Sequence, residues 1–475
     1  MNCVSRCLGT LRKVTVGVFF SACLYTVWTN YNAHSNNVLV LKKEIINEQA
    51  SLFQKAKNTS TTSNLVISKP ISTQQSTVTV TNSSNILIAY QKRWVGFEEI
   101  YRSDCKTALA TKVNNSVFPS EVKRVYPAQI ILDCSDCTSF IEKYGFRRYP
   151  AASEEERQFP IAFIILFYKD LDQVLFLLRA LYHPHNVYCL SLDIKASIEF
   201  MEAVKSVTRC LLNVFVASKL ENIVYAGFTR LMADINCMND LLKHPAQWKY
   251  VINMPGQEFP LRTNLELVRI LQKYNGANDV EGLTGNRMVP HRYQFKHKYV
   301  ADKKTGEISM VRTSKKHEPP PHNISVVKGS AYGAFSRAFV QFVVYDPIAK
   351  DVLEWTKEVN SPDEYFWATL HHSATVAVPG GYTGNPNLKP WLTAYASWGG
   401  RDPCTTIRTR GICIFSPSDL PHLMERHEMF ANKFYITHHP AVLHCLDQLL
   451  FNLTFTGSTR NLTYYNSLPF ALKFK

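Results

Sequence analysis

The amino-acid sequence predicts an α/β fold, a mostly parallel sheet flanked by helices. Three observations predict it. Short apolar runs alternate with segments whose apolar residues recur at helical spacing. The runs are continuous rather than alternating, as in strands covered on both faces. Pro, Gly and capping residues separate the segments at short intervals.

Taken in order, Ile161 to Phe167 is a fully apolar strand. Leu171, Val174, Leu175, Leu178, Leu181 and Tyr182 then mark a helix that Asp170 is placed to cap and Pro184 stops. Val187 to Leu192 is a second strand, ending at Asp193, and Val214 to Ala217 a short third. Leu231, Ile235, Met238 and Leu242 mark a helix closed by Pro245, and Tyr250 to Asn253 continues as a strand. Thr263 and Glu266 form a capping box opening a helix that ends at Gly276. Asn278 to Ser325 is polar and basic with weak periodicity, and reads as one long loop. Order resumes at Lys328-Gly-Ser-Ala-Tyr332 and in a helical stretch around Arg337 to Tyr345. Ligands of open α/β sheets sit at the carboxyl ends of the strands, which puts Tyr168, Asp193 and the Pro255-Gly256 loop on the binding rim.

The 475 residues suffice for a large, well-buried core. The formal charge is +15, but no Lys/Arg block or nucleic-acid motif accompanies it, so nucleic acid is not an expected partner. Val14 to Tyr31 contains no charged residue and follows Arg6, Arg12 and Lys13. It is long enough to span a thin bilayer, with residues 1–13 cytosolic and the chain beyond it lumenal. A cleaved signal peptide is the competing reading, and no small-x-small site near Ser21-Ala22-Cys23 favours it. Residues 32–100 hold few aromatics and a Ser/Thr/Asn/Gln-dominated stretch, the composition of a flexible stem, leaving 101–475 as the catalytic part.

Asn58, Asn82, Asn114, Asn323, Asn452 and Asn461 head Asn-x-Ser/Thr acceptors beyond the apolar segment, as suits a lumenal chain. Nine of the twelve cysteines also lie beyond it; in an oxidising compartment most should pair, with one left over. Cys134-Ser-Asp-Cys137 has the spacing of a redox or zinc pair, but lacks a second pair or a His cluster, so disulfides are the better reading.

Asp170-Leu-Asp172 has the form of an acidic metal-holding pair, yet it opens a helix, where cap and dipole account for it. A metal-free mechanism is therefore expected, and a leaving diphosphate then needs protein cations. Arg408, Arg410 and Lys433 are candidates, each of which also reads as an ordinary surface charge. Ser361-Pro-Asp-Glu364 reads first as a capping box, which accounts for Glu364 completely, and secondarily offers Glu364 as a general base for a hydroxyl. Trp391, Tyr395 and Trp398 suit either a sugar platform or core packing.

Beyond these residue-level readings, the chain resembles the core 2/I-branching β-1,6-N-acetylglucosaminyltransferases over about Asp136 to Leu449. The likeness is carried by Asp136-Cys-Thr-Ser-Phe-Ile141, Asn213-Val-Phe-Val-Ala-Ser218, Asp234-Ile-Asn-Cys-Met238, Trp248-Lys-Tyr-Val-Ile-Asn253, Phe259-Pro-Leu-Arg-Thr-Asn-Leu-Glu266, Gly329-Ser-Ala-Tyr332, Ser361-Pro-Asp-Glu-Tyr365, Cys413-Ile-Phe415 and Phe430-Ala-Asn-Lys-Phe434. The resemblance implies a GT-A-like lumenal domain of a single-pass type II Golgi membrane enzyme. It would transfer N-acetylglucosamine from UDP-N-acetylglucosamine to a core 1-type O-glycan, with inversion and without a metal or other cofactor. It implies Glu364 as base, Arg410 and Lys433 as the diphosphate pair, and Tyr225, Asp193 and Tyr168 on the donor side. Glu281 and Trp398 would contact the acceptor, with Arg292 and Lys296 as candidates from a loop that aligns ambiguously. It pairs Cys105 with Cys445, Cys137 with Cys210, Cys189 with Cys237 and Cys404 with Cys413, leaving Cys134. The chain departs from the family at Met254 (a free cysteine there), Gly400 (a tyrosine) and Tyr168 (a histidine). UDP-glucose or UDP-xylose as donor, an inactive glycan-binding protein, and a homodimer all remain open at this point.

Overall fold

In β1 (Ile161–Phe167) the odd-numbered residues join a core with α1 (Leu171–Leu181), while Ala162 and Ile164 join a second core on the opposite face. This is the period-two alternation of a strand with both sides covered. The computed structural model describes residues 105–110, 124–400, 402 and 404–471. The expected membrane segment, stem and Asn58, Asn82 and Asn114 lie outside them. Among the described residues no helix is long and apolar enough to cross a membrane.

The chain continues through β2 (Val187–Leu192), α2 (Ile198–Cys210), β3 (Val214–Val216), α3 (Phe228–Lys243) and β4 (Tyr250–Pro255). Next come β5 (Glu258–Pro260), α4 (Asn264–Tyr274), β6 (Phe295–Ala301) and β7 (Ile308–Lys316). β8 (Ala334–Ser336), α5 (Arg337–Tyr345) and α6 (Phe366–His371) follow. The main sheet has the order β3-β2-β1-β4-β8, parallel except for β8. α1 and α2 cover one face; α3 and α5 cover the other. The α/β expectation with a parallel-rich sheet holds, and the strand bounds of β1 and β2 match the sequence reading. α2 was not anticipated.

Toward the C-terminus, β9 (Ala394–Ala396), β10 (Arg408–Thr409), β11 (Ile412–Cys413), β12 (Phe430–Asn432) and α7 (Pro440–Thr456) complete the body. β12 lies between β5 and β9 in a second sheet, which carries Lys433 just past its end. Among the described residues, four disulfides, Cys105–Cys445, Cys137–Cys210, Cys189–Cys237 and Cys404–Cys413, leave Cys134 as a buried free thiol.

Three local expectations are corrected. Asn278 to Ser325 is not one loop: β6 and β7 form an antiparallel hairpin within it. Most of its residues face solvent, so it carries no apolar alternation to read. Asp170 does not cap α1; it is left-handed (φ 54°) with no capping bond, and its carboxylate instead meets Arg124 at 2.8 Å. Ser361 likewise makes no cap. Its φ of 55° removes the extended geometry that an N-cap needs, and only a 3₁₀ turn follows. The Thr263–Glu266 capping box is formed as expected. Asn323 and Asn461 are exposed, whereas Asn452 is half-buried within α7.

Candidate active site

Tyr168, Asp193 and the Pro255-Gly256 loop lie at the carboxyl ends of β1, β2 and β4. Tyr168 follows β1 directly and is well exposed. Asp193 follows β2, where it accepts from Lys195 N at 3.0 Å, and Ile194 N donates to the carbonyl of Glu221 at 3.1 Å. That contact leads the 221–227 segment to the same edge. Gly256 follows β4 and packs so closely that a Cβ there would meet Val174 Cγ2 at 2.9 Å.

Two cations without acidic partners mark one side of the rim. Arg410 and Gly411 form the two-residue turn between β10 and β11, with φ of 52° and 81°. Such a turn favours Asn-Gly, so an arginine at its first position is strained by roughly 1 kcal/mol. Strain of this kind collects at functional positions. The Arg410 guanidinium stacks over the exposed Tyr225 ring at 4.4 Å. Lys433 lies close enough to Arg410 that burial and that neighbour together push its ammonium below the usual lysine range. Neither cation makes an ion pair among the described residues, so the pair repels and offers positive charge to an anion. Arg408 is different: its guanidinium is spent on the carbonyls of Ser397 (2.8 Å) and Asp402 (2.5 Å), which removes it as a phosphate candidate.

The acidic side is built on Glu364. Ser361 N donates to the Ala226 carbonyl at 2.8 Å, and both residues have positive φ. This bond fastens the Glu364 turn to the residue next to Tyr225. Gly329 N donates to the Glu364 carbonyl at 2.7 Å. A Cβ at Gly329 would meet the Glu281 carbonyl oxygen at 2.3 Å, so only glycine lets the Glu281, Gly329 and Glu364 backbones meet. The Glu364 carboxylate receives Arg292 at 2.8 Å and Lys328 at 3.0 Å, both on Oε2. Arg287 lies 4.0 Å from the Glu281 carboxylate.

Behind Glu364 is a buried cluster of Arg230, Asp234, Asp363 and Tyr332. Arg230 meets Asp234 at 2.6 Å and Asp363 at 3.9 Å, and lies over the Tyr332 ring at 5.5 Å. Burial, only partly offset by Arg230, pushes the Asp363 carboxyl up to about 6. Tyr332 also feels Glu258, which opposes Asn432 next to Lys433 in the second sheet. Buried polar groups thus run from the Glu364 turn to Lys433.

Of the remaining expected residues, Lys296 pairs with Glu358, and Trp398 is 47 % exposed beside Gly411. Trp391 and Tyr395 pack with the core, settling two of the three aromatics as structural. Gly400 has φ 82° and open space around it. Asp170 and Asp172 are both bound by Arg124, with Asp172 at 2.5 Å. The sequence reading missed Lys328 and the Arg230 cluster. Only the spacing of four between Arg230 and Asp234 on one helix could have hinted at the latter.

Residues 161–424 match the family model described as Core-2/I-Branching enzyme. The chain is 40% identical over 336 residues to the human N-acetyllactosaminide beta-1,6-N-acetylglucosaminyl-transferase, covering 69% of this chain and 82% of that protein. It is 39% identical over 326 residues to the Danio rerio beta-1,3-galactosyl-O-glycosyl-glycoprotein beta-1,6-N-acetylglucosaminyltransferase 4, covering 66% and 75%. A mouse N-acetyllactosaminide beta-1,6-N-acetylglucosaminyl-transferase is 38% identical over 328 residues, covering 68% and 80%.

Proposed function

Because the chain belongs to the Core-2/I-Branching enzyme family, and so is a glycosyltransferase, we propose that it transfers N-acetylglucosamine from UDP-N-acetylglucosamine in β-1,6 linkage onto a core 1-type O-glycan. The acceptor 6-hydroxyl oxygen bonds to the anomeric carbon on the face opposite the nucleotide. The bond to the UDP oxygen breaks, and the hydroxyl proton passes to Glu364. UDP departs with its charge against Arg410 and Lys433. One observation carries this reading. A carboxylate with one oxygen free of hydrogen bonds among the described residues sits on a turn bonded to Ala226, and the neighbouring Tyr225 stacks with Arg410, one of two cations lacking acidic partners there.

The reaction in this proposal needs no divalent ion. Support comes from Asp170 and Asp172, whose carboxylates are both engaged by Arg124 rather than converging on open space. The enzyme would act from the lumenal side of the Golgi membrane, anchored by Val14 to Tyr31.

The test is a panel of UDP-sugars with a core 1 disaccharide in excess EDTA, with the product linkage assigned by NMR. Transfer of N-acetylglucosamine to the 6-position is expected. Transfer only from UDP-glucose or UDP-xylose would reassign the donor. A requirement for Mn²⁺ would overturn the metal-free step, and glycan binding without UDP release from any donor would make the protein a lectin.

A further inference from the structure

The two oxygens of Glu364 are held unequally. Oε2 accepts a hydrogen bond from Arg292 Nη1 at 2.8 Å and lies 3.0 Å from Lys328 Nζ in an ion pair, the ammonium itself donating to the Gly329 carbonyl at 3.4 Å, while Oε1 has no hydrogen bond among the described residues. The cations arrive from separate segments. Arg292 ends a 3₁₀ turn whose carbonyl accepts from Asn360 N at 2.9 Å. Lys328 is fixed by paired backbone bonds with Leu283, of 2.7 and 3.1 Å, and its neighbour Gly329 bonds the Glu364 backbone itself. The Lys328 side chain is 17 % exposed, so it is held against the protein rather than solvated freely.

A glutamate carboxylate ordinarily rotates about its last torsion with little preference. One charge-assisted hydrogen bond and one ion pair on a single oxygen restrict that freedom and define which oxygen is left over. We propose that Lys328, acting with Arg292, is a positioning residue that pins Oε2 of Glu364 and so leaves Oε1 as the oxygen that takes the acceptor proton. This rests on the reading of Glu364 as the base. Two effects oppose each other. A nearby cation makes a carboxylate a poorer base, whereas a fixed oxygen in register with the hydroxyl lowers the barrier through orientation, and misplacement of about 1 Å costs up to about 10²-fold in rate. The inference is that orientation wins.

Lys328→Met keeps much of the stem and removes the charge; Lys328→Arg restores it. The readouts are kcat, acceptor KM, UDP affinity by calorimetry, and Tm. We expect Lys328→Met to lower kcat by about 10-fold or more, with UDP affinity and acceptor KM within about twofold, and Lys328→Arg to recover most of the loss. Arg292→Met, which removes the other bond to Oε2 from a different segment, should lower kcat in the same way and so reports even if the Lys328 variant folds poorly. A kcat for Lys328→Met equal to or above wild type, or losses in both Met variants confined to acceptor KM, overturns the proposal. The base reading is checked separately. If Glu364→Gln turns over normally, that reading fails; if Glu364→Gln is inactive while Lys328→Met is unaffected, the clamp alone fails.

Discussion

The guanidinium of Arg410 lies over the ring of Tyr225, its central carbon 4.4 Å from the ring centroid, and the main chain next to that ring is bonded to the turn bearing Glu364. On the proposed reading of Arg410 as a diphosphate contact, the aromatic face orients it, so the stack should be visible in nucleotide affinity. Tyr225→Ala is expected to weaken UDP binding by about 3- to 30-fold, the range of a cation–π contact, and Tyr225→Phe to change it little. Calorimetric titration with UDP checks both.

Glu364→Gln removes the proposed proton acceptor and keeps the side-chain shape. Turnover should fall by about 10²-fold or more while UDP affinity stays within about twofold. Steady-state kinetics beside the same titration separates loss of a base from loss of a fold.

Asp363 gives a pH signature in stability. Its folded-state carboxyl titrates at about 6, above the roughly 3.9 of an unfolded chain. The folded state therefore holds more protons than the unfolded state between those values. Stability from this group is fully present below pH about 4 and is lost as pH rises through about 6. Asp363→Asn abolishes that slope. Whatever its constant offset, the variant should gain on wild type by on the order of 2–3 kcal/mol between pH about 4 and about 7. Urea unfolding at a series of pH values measures it, and a flat difference would show that Asp363 does not titrate there.

Asp447 on α7 sits between two buried arginines, with Arg148 Nη1 and Arg179 Nη2 each 2.6 Å from Oδ2. The two cations hold the carboxyl below the usual aspartate range despite its burial. Removing it takes the shared carboxylate from both buried guanidiniums. Asp447→Ala should cost about 3–5 kcal/mol, seen as a lower midpoint in chemical denaturation.

Much of the main sheet could be read from the chain because its signals are local. Ile161 to Phe167 and Val187 to Leu192 are covered on both faces, so their apolar runs mark the strands directly. Thr263 and Glu266 satisfy each other within a single turn. The two failed caps were both cases where a distant partner decides. Ser361 looks like a cap until the Ala226 carbonyl draws its backbone into the left-handed region. Asp170 looks like a cap until Arg124, 46 residues away, takes its carboxylate. The site divides in the same way. Glu364, Arg410 and Lys433 were candidates from the residues, but only the family resemblance raised them above the cap and surface-charge readings, because an isolated Glu, Arg or Lys carries no local mark of its role. Lys328 went unnoticed, since nothing in Val-Val-Lys-Gly-Ser announces that its ammonium reaches residue 364.

The Cys105–Cys445 bond joins positions 340 residues apart. With it the folded body is a covalent loop rather than a linear thread. A protease that nicks the exposed Asp302 to Gly306 turn of the hairpin would leave both pieces tethered. The cut would go unseen on a gel until a reductant is added, and a nicked preparation would pass for intact.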